Sequence, residues 1–96
     1  MEVLVTYDVS TETRAGQRRL RRVANVCLAY GQRVQKSVFE CRVSEAQLEE
    51  LEDKLLRTID VREDQVRIYR LAGSRDRYVK VYGELPPHDF REPLIV

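Results

Sequence analysis

Residues 3–9, Val-Leu-Val-Thr-Tyr-Asp-Val, constrain this chain more than any other stretch, and they open it almost without preamble. Five of the seven are β-branched or aromatic, a composition that suits an extended strand. Apolar residues occupy positions of both parities, so the strand needs cover on both faces. A layer of helices can supply only one of these covers, and the other face then calls for a second layer. Asp8 is the polar exception. It stands near the carboxyl end of the strand, just before Ser10-Thr11-Glu12-Thr13, where α/β folds gather their ligands. A carboxylate there either caps backbone N–H groups of the following turn or faces a ligand, usually a cation.

A chain of 96 residues is one domain with room for a single two-layer core. No apolar run approaches the roughly 20 residues of a membrane span, and the N-terminus has no basic n-region or cleavage site. The expectation is a cytoplasmic protein that does not enter a membrane. Cys27 and Cys41 lack metal-type spacing and read as reduced thiols in a core.

The net charge of +1 hides a strong asymmetry. Residues 13–36 hold seven basic side chains (Arg14, Arg18, Arg19, Arg21, Arg22, Arg33 and Lys36) and no acid. Residues 40–64 hold nine acids against Arg42, Lys54, Arg57 and Arg62. Segments this different give one basic and one acidic surface if they fold onto separate regions.

After the first strand, Leu20, Val23, Ala24, Cys27 and Leu28 follow the spacing of a core-facing stripe and predict a helix over residues 16–30. Thr11, Thr13 and Gly16 are all acceptable caps, and Gly31 suits a C-cap with positive φ. Arg18, Arg21, Arg22 and Asn25 lie on the helix's other faces. Such a run is a solvated helix face or a phosphate-binding surface. Five arginines within residues 14–22 without an i+4 acid repel one another, and guanidinium forks match phosphate geometry.

Residues 32–43 read as extended, with a bend at 35–37 and Phe39, Cys41 and Val43 sharing one face. Ser44 and Gln47 form a capping box that starts a helix to about Thr58, with Leu48, Leu51, Leu55, Leu56 and Ile59 inward. Glu50–Lys54 and Asp53–Arg57 are its exposed i,i+4 pairs. Residues 65–71 alternate as a half-buried strand. A turn at Gly73-Ser74, a shorter strand near 78–82 and an irregular segment at Pro86-Pro87 follow. The apolar ending Pro93-Leu94-Ile95-Val96 should be docked rather than frayed.

The resulting order is the α+β ferredoxin-like βαββαβ arrangement with an extra C-terminal strand. A sheet-to-sheet homodimer would supply the missing second layer. Residues 1–83 form the domain in this reading, and residues 84–96 an extension docking on the partner subunit. No spacing supports a Ser/His/Asp or Cys/His site, the lone His88 stands in a loop segment, and the glycines form no phosphate loop. Asp8 is therefore the leading candidate for chemistry, by elimination. One carboxylate can help hold Mg²⁺ among waters and phosphate oxygens, and two copies across a dimer axis would do so better.

Several segments together resemble the CRISPR-associated endoribonuclease family, the smaller, non-integrase member of the two-protein core that captures new spacers. They are Leu4-Val5-Thr6-Tyr7-Asp8-Val9, Arg18-Arg19-Leu20-Arg21-Arg22-Val23-Ala24, the run from Gly31 through Gln35-Lys36-Ser37-Val38-Phe39-Glu40 to Cys41, and Val66-Arg67-Ile68-Tyr69-Arg70-Leu71. The resemblance implies a homodimer whose last strand pairs with the partner subunit's sheet. It also implies Mg²⁺, with Mn²⁺ an alternative, bound through Asp8 at the seam. Tyr7 and Asp8 match the family's catalytic strand-end pair, and Arg33, Ser37 and Phe39 match its second motif. Arg18, Arg19 and Arg22 fall in its nucleic-acid-facing region, and with Arg14, Arg33 and Lys36 of the same acid-free segment they make the expected nucleic-acid-binding set. The implied activity is metal-dependent cleavage of single-stranded RNA or double-stranded DNA, with an integrase as partner. The alternative is a non-catalytic scaffold that bridges integrase dimers and holds prespacer DNA. A ferredoxin-like small-ligand sensor is a third reading, but it leaves the arginine cluster unexplained.

Overall fold

The computed structural model describes residues 1–73 and 79–83. Its elements run β1 (Glu2–Asp8), α1 (Arg14–Leu28), β2 (Gly31–Gln35), β3 (Val38–Arg42), α2 (Glu45–Thr58) and β4 (Gln65–Leu71). The expected β-α-β-β-α-β order is thus present. The strands form one antiparallel sheet in the order β2-β3-β1-β4. The opening strand is internal, with β3 on one side and β4 on the other. That position pairs both backbone edges of the most β-prone stretch and leaves neither open to another chain.

Burial along β1 alternates strictly. Val3, Val5 and Tyr7 join Phe39 and Cys41 of β3, Val23 and Cys27 of α1, and Leu48, Leu51 and Leu55 of α2 in one core. Leu4 and Thr6 face the other way and are half-buried. Both helices pack on the first face, and among the described residues no element covers the second. The need for two covers, inferred from the apolar parity of β1, is therefore met here on one side.

α1 begins two residues earlier than the periodicity predicts, because Thr13 is the N-cap and its hydroxyl accepts the Gly16 N–H at 3.0 Å. Gly16 is required for closeness, since a Cβ there would collide with the Ser10 carbonyl. At the far end Leu28 is 43% exposed and leaves the predicted stripe. The C-cap is Ala29 in a right-handed conformation, and Gly31 has no positive φ. Gly31 instead opens β2, where a Cβ would lie 2.6 Å from the Cys41 Sγ. The residue type was a correct signal of a boundary, but its cause is close strand packing rather than backbone handedness.

β2 and β3 form a hairpin with Lys36-Ser37 at the turn, and the expected bend is there. The Ser44 capping box is complete: its hydroxyl accepts the Gln47 N–H at 3.2 Å, and its own N–H donates to the Gln47 side chain at 2.9 Å. Leu48, Leu51 and Leu55 are buried, but Leu56 is 63% exposed, because one further residue turns the side chain about 100° around the helix. Asp53 and Arg57 are ion-paired. Lys54 lies over the Tyr30 ring, 5.2 Å from its centroid.

Gly73 takes the left-handed conformation expected of a turn, with φ 81°. Residues 79–82 are not in a strand, and the rest of the short strand expected near 78–82 lies outside the described residues. So do Ser74, His88, the extension 84–96 and its apolar end. Gly31→Ala should lower stability by about 1–3 kcal/mol through overpacking. In a domain of this size that is a fall in Tm of about 5 °C or more, measurable by thermal unfolding.

Candidate functional site

The carboxyl end of β1 is where the sequence-predicted groups gather. Asp8 stands opposite Gln65 of β4. On its other side, the pairing of Thr6 with Val38 runs into the Lys36-Ser37 turn, and the Tyr7 N–H donates to the Ser37 carbonyl at 3.1 Å. Asp8 is exposed and lies on the sheet face that the helices leave open.

Tyr7 does not share that face. Adjacent strand residues point to opposite sides, and Tyr7 is 6% exposed in the core. Its ring stacks on Phe39 with centroids 6.1 Å apart, and its hydroxyl donates to the Lys36 carbonyl at 3.4 Å. Burial raises the phenol pKa, opposed by a hydrogen bond and the charge of Arg33. The sheet therefore does not bring Tyr7 and Asp8, the expected catalytic pair, to one face, and Tyr7 holds the hairpin turn from beneath. Phe39 is fully buried. Arg33 is half-buried, with its guanidinium carbon 5.1 Å from the Phe39 centroid. It lies at the core edge.

The arginine cluster also divides. Arg19 Nε donates to Asp64 Oδ2 at 2.8 Å, and Nη2 reaches Glu63 at 3.2 Å. The Asp64 side chain is wholly buried. It also accepts the Ser10 N–H at 3.1 Å and the Asp60 N–H at 2.8 Å. Burial alone would raise this carboxyl's pKa. The hydrogen bond from Arg19, the two backbone N–H groups and the Arg19 charge outweigh it, and the net shift is downward. The Arg19 guanidinium, expected among the nucleic-acid-binding residues, thus joins α1 to the loop before β4. No i+4 acid marks it in sequence, since its partner is 45 residues away.

Arg14, Arg18, Arg21 and Arg22 remain exposed. At 3.6 residues per turn they line the side of α1 opposite Val23 and Cys27, so they face away from the sheet. Lys36 is exposed in the hairpin turn, and Ser37 beside it is half-buried. The basic helix surface and Asp8 thus occupy opposite sides of the two-layer domain. Among the described residues no group of three or more His, Cys, Asp or Glu could hold a metal ion. Asp8 offers one carboxylate per chain, which fits a hydrated, phosphate-bridged Mg²⁺ and not an all-protein cage.

Cys27 and Cys41 are both buried and free. Burial lifts their pKa values to about 12 and about 11, so they are neutral core thiols, as expected. Arg67 was not singled out in sequence. It pairs with Thr6 across the β1–β4 ladder, lies on the face of Asp8, and donates from Nη1 to the Tyr69 hydroxyl at 3.3 Å. Alternation in β4 marks two faces, but only the pairing register shows which of them carries Asp8.

A family model described as CRISPR associated protein Cas2 matches residues 1–79. The chain is 55% identical over 96 residues to a CRISPR-associated endoribonuclease Cas2 of Moorella thermoacetica, covering 100% of both. It is 48% identical over 95 residues to a CRISPR-associated endonuclease Cas2 of Halalkalibacterium halodurans, covering 99% of both. The crystal structure of Streptococcus pyogenes Cas2 superposes with a TM-score of 0.77 at 51% identity, covering 86% of this chain and 100% of that one.

The Asp64 cluster yields a test of pH dependence. Its folded pKa lies below the ordinary 3.8, so its stabilisation is complete above that value and disappears as the pH falls through the lower, folded one. Asp64→Asn should cost about 1–3 kcal/mol at pH 7 by leaving buried donors poorly matched. The gap from wild type should narrow below about pH 4, read by denaturant unfolding across pH.

Proposed function

The chain belongs to the Cas2 family of CRISPR-associated nucleases, and from that premise we propose that it is a homodimeric endonuclease of spacer acquisition that cuts phosphodiester bonds at Asp8. The observation that carries this reading is an exposed carboxylate at the end of the central strand, on the face the helices leave open. That face also carries Leu4, Val38 and Leu71, half-buried, and Tyr69, 44% exposed. An apolar strip of this kind favours a second copy laid sheet to sheet, which would bring two Asp8 side chains to a common seam.

Asp8 would hold the divalent cation, Mg²⁺ or Mn²⁺. When bound, such an ion neutralises phosphate charge and lowers the pKa of water. The substrate classes are single-stranded RNA and duplex DNA, in line with the endoribonuclease and endonuclease names of the relatives. An integrase subunit is the protein partner, and the cytoplasm the setting. No helix among the described residues is long and apolar enough to cross a membrane.

One observation favours the scaffold reading beside this one. Arg14, Arg18, Arg21 and Arg22 lie across the helix layer from Asp8, so a duplex held on α1 is not thereby delivered to the carboxylate. Binding at the helix and cleavage at the seam would then be separable. Asp8→Asn should abolish divalent-cation-dependent cleavage of RNA and DNA while changing stability by less than about 0.5 kcal/mol; equal activity in the variant would defeat the nuclease reading. Joint replacement of Arg18, Arg21 and Arg22 by Ala should flatten the salt dependence of duplex binding by about 0.9 for each phosphate contact removed. Titrations at several salt concentrations measure it.

A further inference from the structure

A phosphodiester positioned at Asp8 brings negative charge to a carboxylate, and a cationic side chain on that same face would share with the divalent ion in offsetting the repulsion. Most of the described cations are elsewhere. The α1 arginines lie beyond the helix layer. Arg70 is on the helix-covered face and pairs with Glu45 at 3.3 Å. Arg42 shares the open face but pairs with Glu2, at the other end of β1, roughly 20 Å from Asp8 at the ordinary strand rise. Lys36 belongs to the turn beside the site. Among the described strand residues on the face of Asp8, Arg67 is the one cation besides Arg42, and the ladder puts it diagonally next to Asp8: Asp8 faces Gln65, and Thr6 faces Arg67.

We propose that Arg67 grips the phosphate on which Asp8 acts, which makes β4 the second wall of the site. This rests on the nuclease reading. Diagonal neighbours on one face of an antiparallel pair are about 7–8 Å apart, within reach of long side chains. A guanidinium there can hold two phosphate oxygens at once. Tyr69 stands two residues along the same strand and the same face, and its hydroxyl accepts one N–H of Arg67 at 3.3 Å. Of the five N–H groups of a guanidinium, that contact uses one and holds the head on the open face before substrate arrives. Holding the fork in place reduces the entropy lost on binding. The Val66-Arg67-Ile68-Tyr69 segment thereby acquires a role: its odd positions serve the site while Val66 and Ile68 pack on the core.

The test uses the full chain with a labelled single-stranded RNA and a labelled DNA duplex of the same sequence. Arg67→Ala and Arg67→Lys are made in wild type and in Asp8→Asn, with Arg42→Ala as the same-face control. Cleavage by Arg67→Ala should fall about tenfold to a hundredfold in kcat/KM, with Tm unchanged. Lys should recover part of the loss, because it keeps the charge without the fork, and Arg42→Ala should cleave like wild type. In the Asp8→Asn background, Arg67→Ala should lower the salt slope of binding by about one. Cleavage by Arg67→Ala within about twofold of wild type, or an Arg67→Ala protein that has lost wild-type oligomeric state by light scattering, would overturn the proposal. Absence of cleavage by wild type itself would defeat the nuclease reading. The binding arm would then decide the Arg67 contact alone, and an unchanged salt slope would overturn it.

Discussion

The pairing of β1 on both of its edges is the constraint from which the remainder of the architecture follows. With β3 and β4 both antiparallel to it, every side chain of the first strand has a fixed neighbour and a fixed face. Val3, Val5 and Tyr7 are committed to the core, and Leu4, Thr6 and Asp8 are committed to the open side. A slip of one residue would exchange these sets, burying Asp8 and exposing the core valines. The period-2 geometry that builds the core is therefore also what presents the carboxylate.

Asp64 secures the end of that strand. Its buried carboxylate ties the chain just after β1, the first turns of α1 and the loop before β4 into one cluster through Ser10, Arg19 and Asp60. A buried charge is costly unless its hydrogen bonds are filled, and here four contacts from three segments fill them. From the other side Tyr7 and Phe39 support the hairpin turn. Asp8 stands between two anchored connections, so its position is set by packing although it is itself exposed.

Charge is distributed by layer. The basic residues that dominate the first third of the chain go to the outer side of α1, with Arg19 consumed by an internal ion pair and Arg33 by the edge of the core. The acids of α2 occupy the neighbouring helix, with Glu45, Glu49, Glu50, Glu52 and Asp53 all exposed. A polyanion approaching the helix layer is drawn to α1 and repelled by α2. The open sheet face has its own short set of charges around Asp8, separate from the basic surface of α1.

Local pattern by itself determined much of this. The strand alternation, the Ser44 capping box, the Leu48–Leu51–Leu55 stripe and the bounds of β4 all depend on residues a few positions apart, and short-range geometry enforces them. The candidacy of Asp8 was legible for the same reason, as a lone carboxylate closing an apolar strand. Tertiary structure alone decided what each arginine does, because the partner of Arg19 is 45 residues away and Phe39 comes under Arg33 only when the hairpin closes. It also decided which of the two sheet faces the helices cover, so that Tyr7 is buried and Asp8 exposed, and that Arg67 comes beside Asp8. Those relations depend on strand register, which is a property of two segments together and is written in neither one.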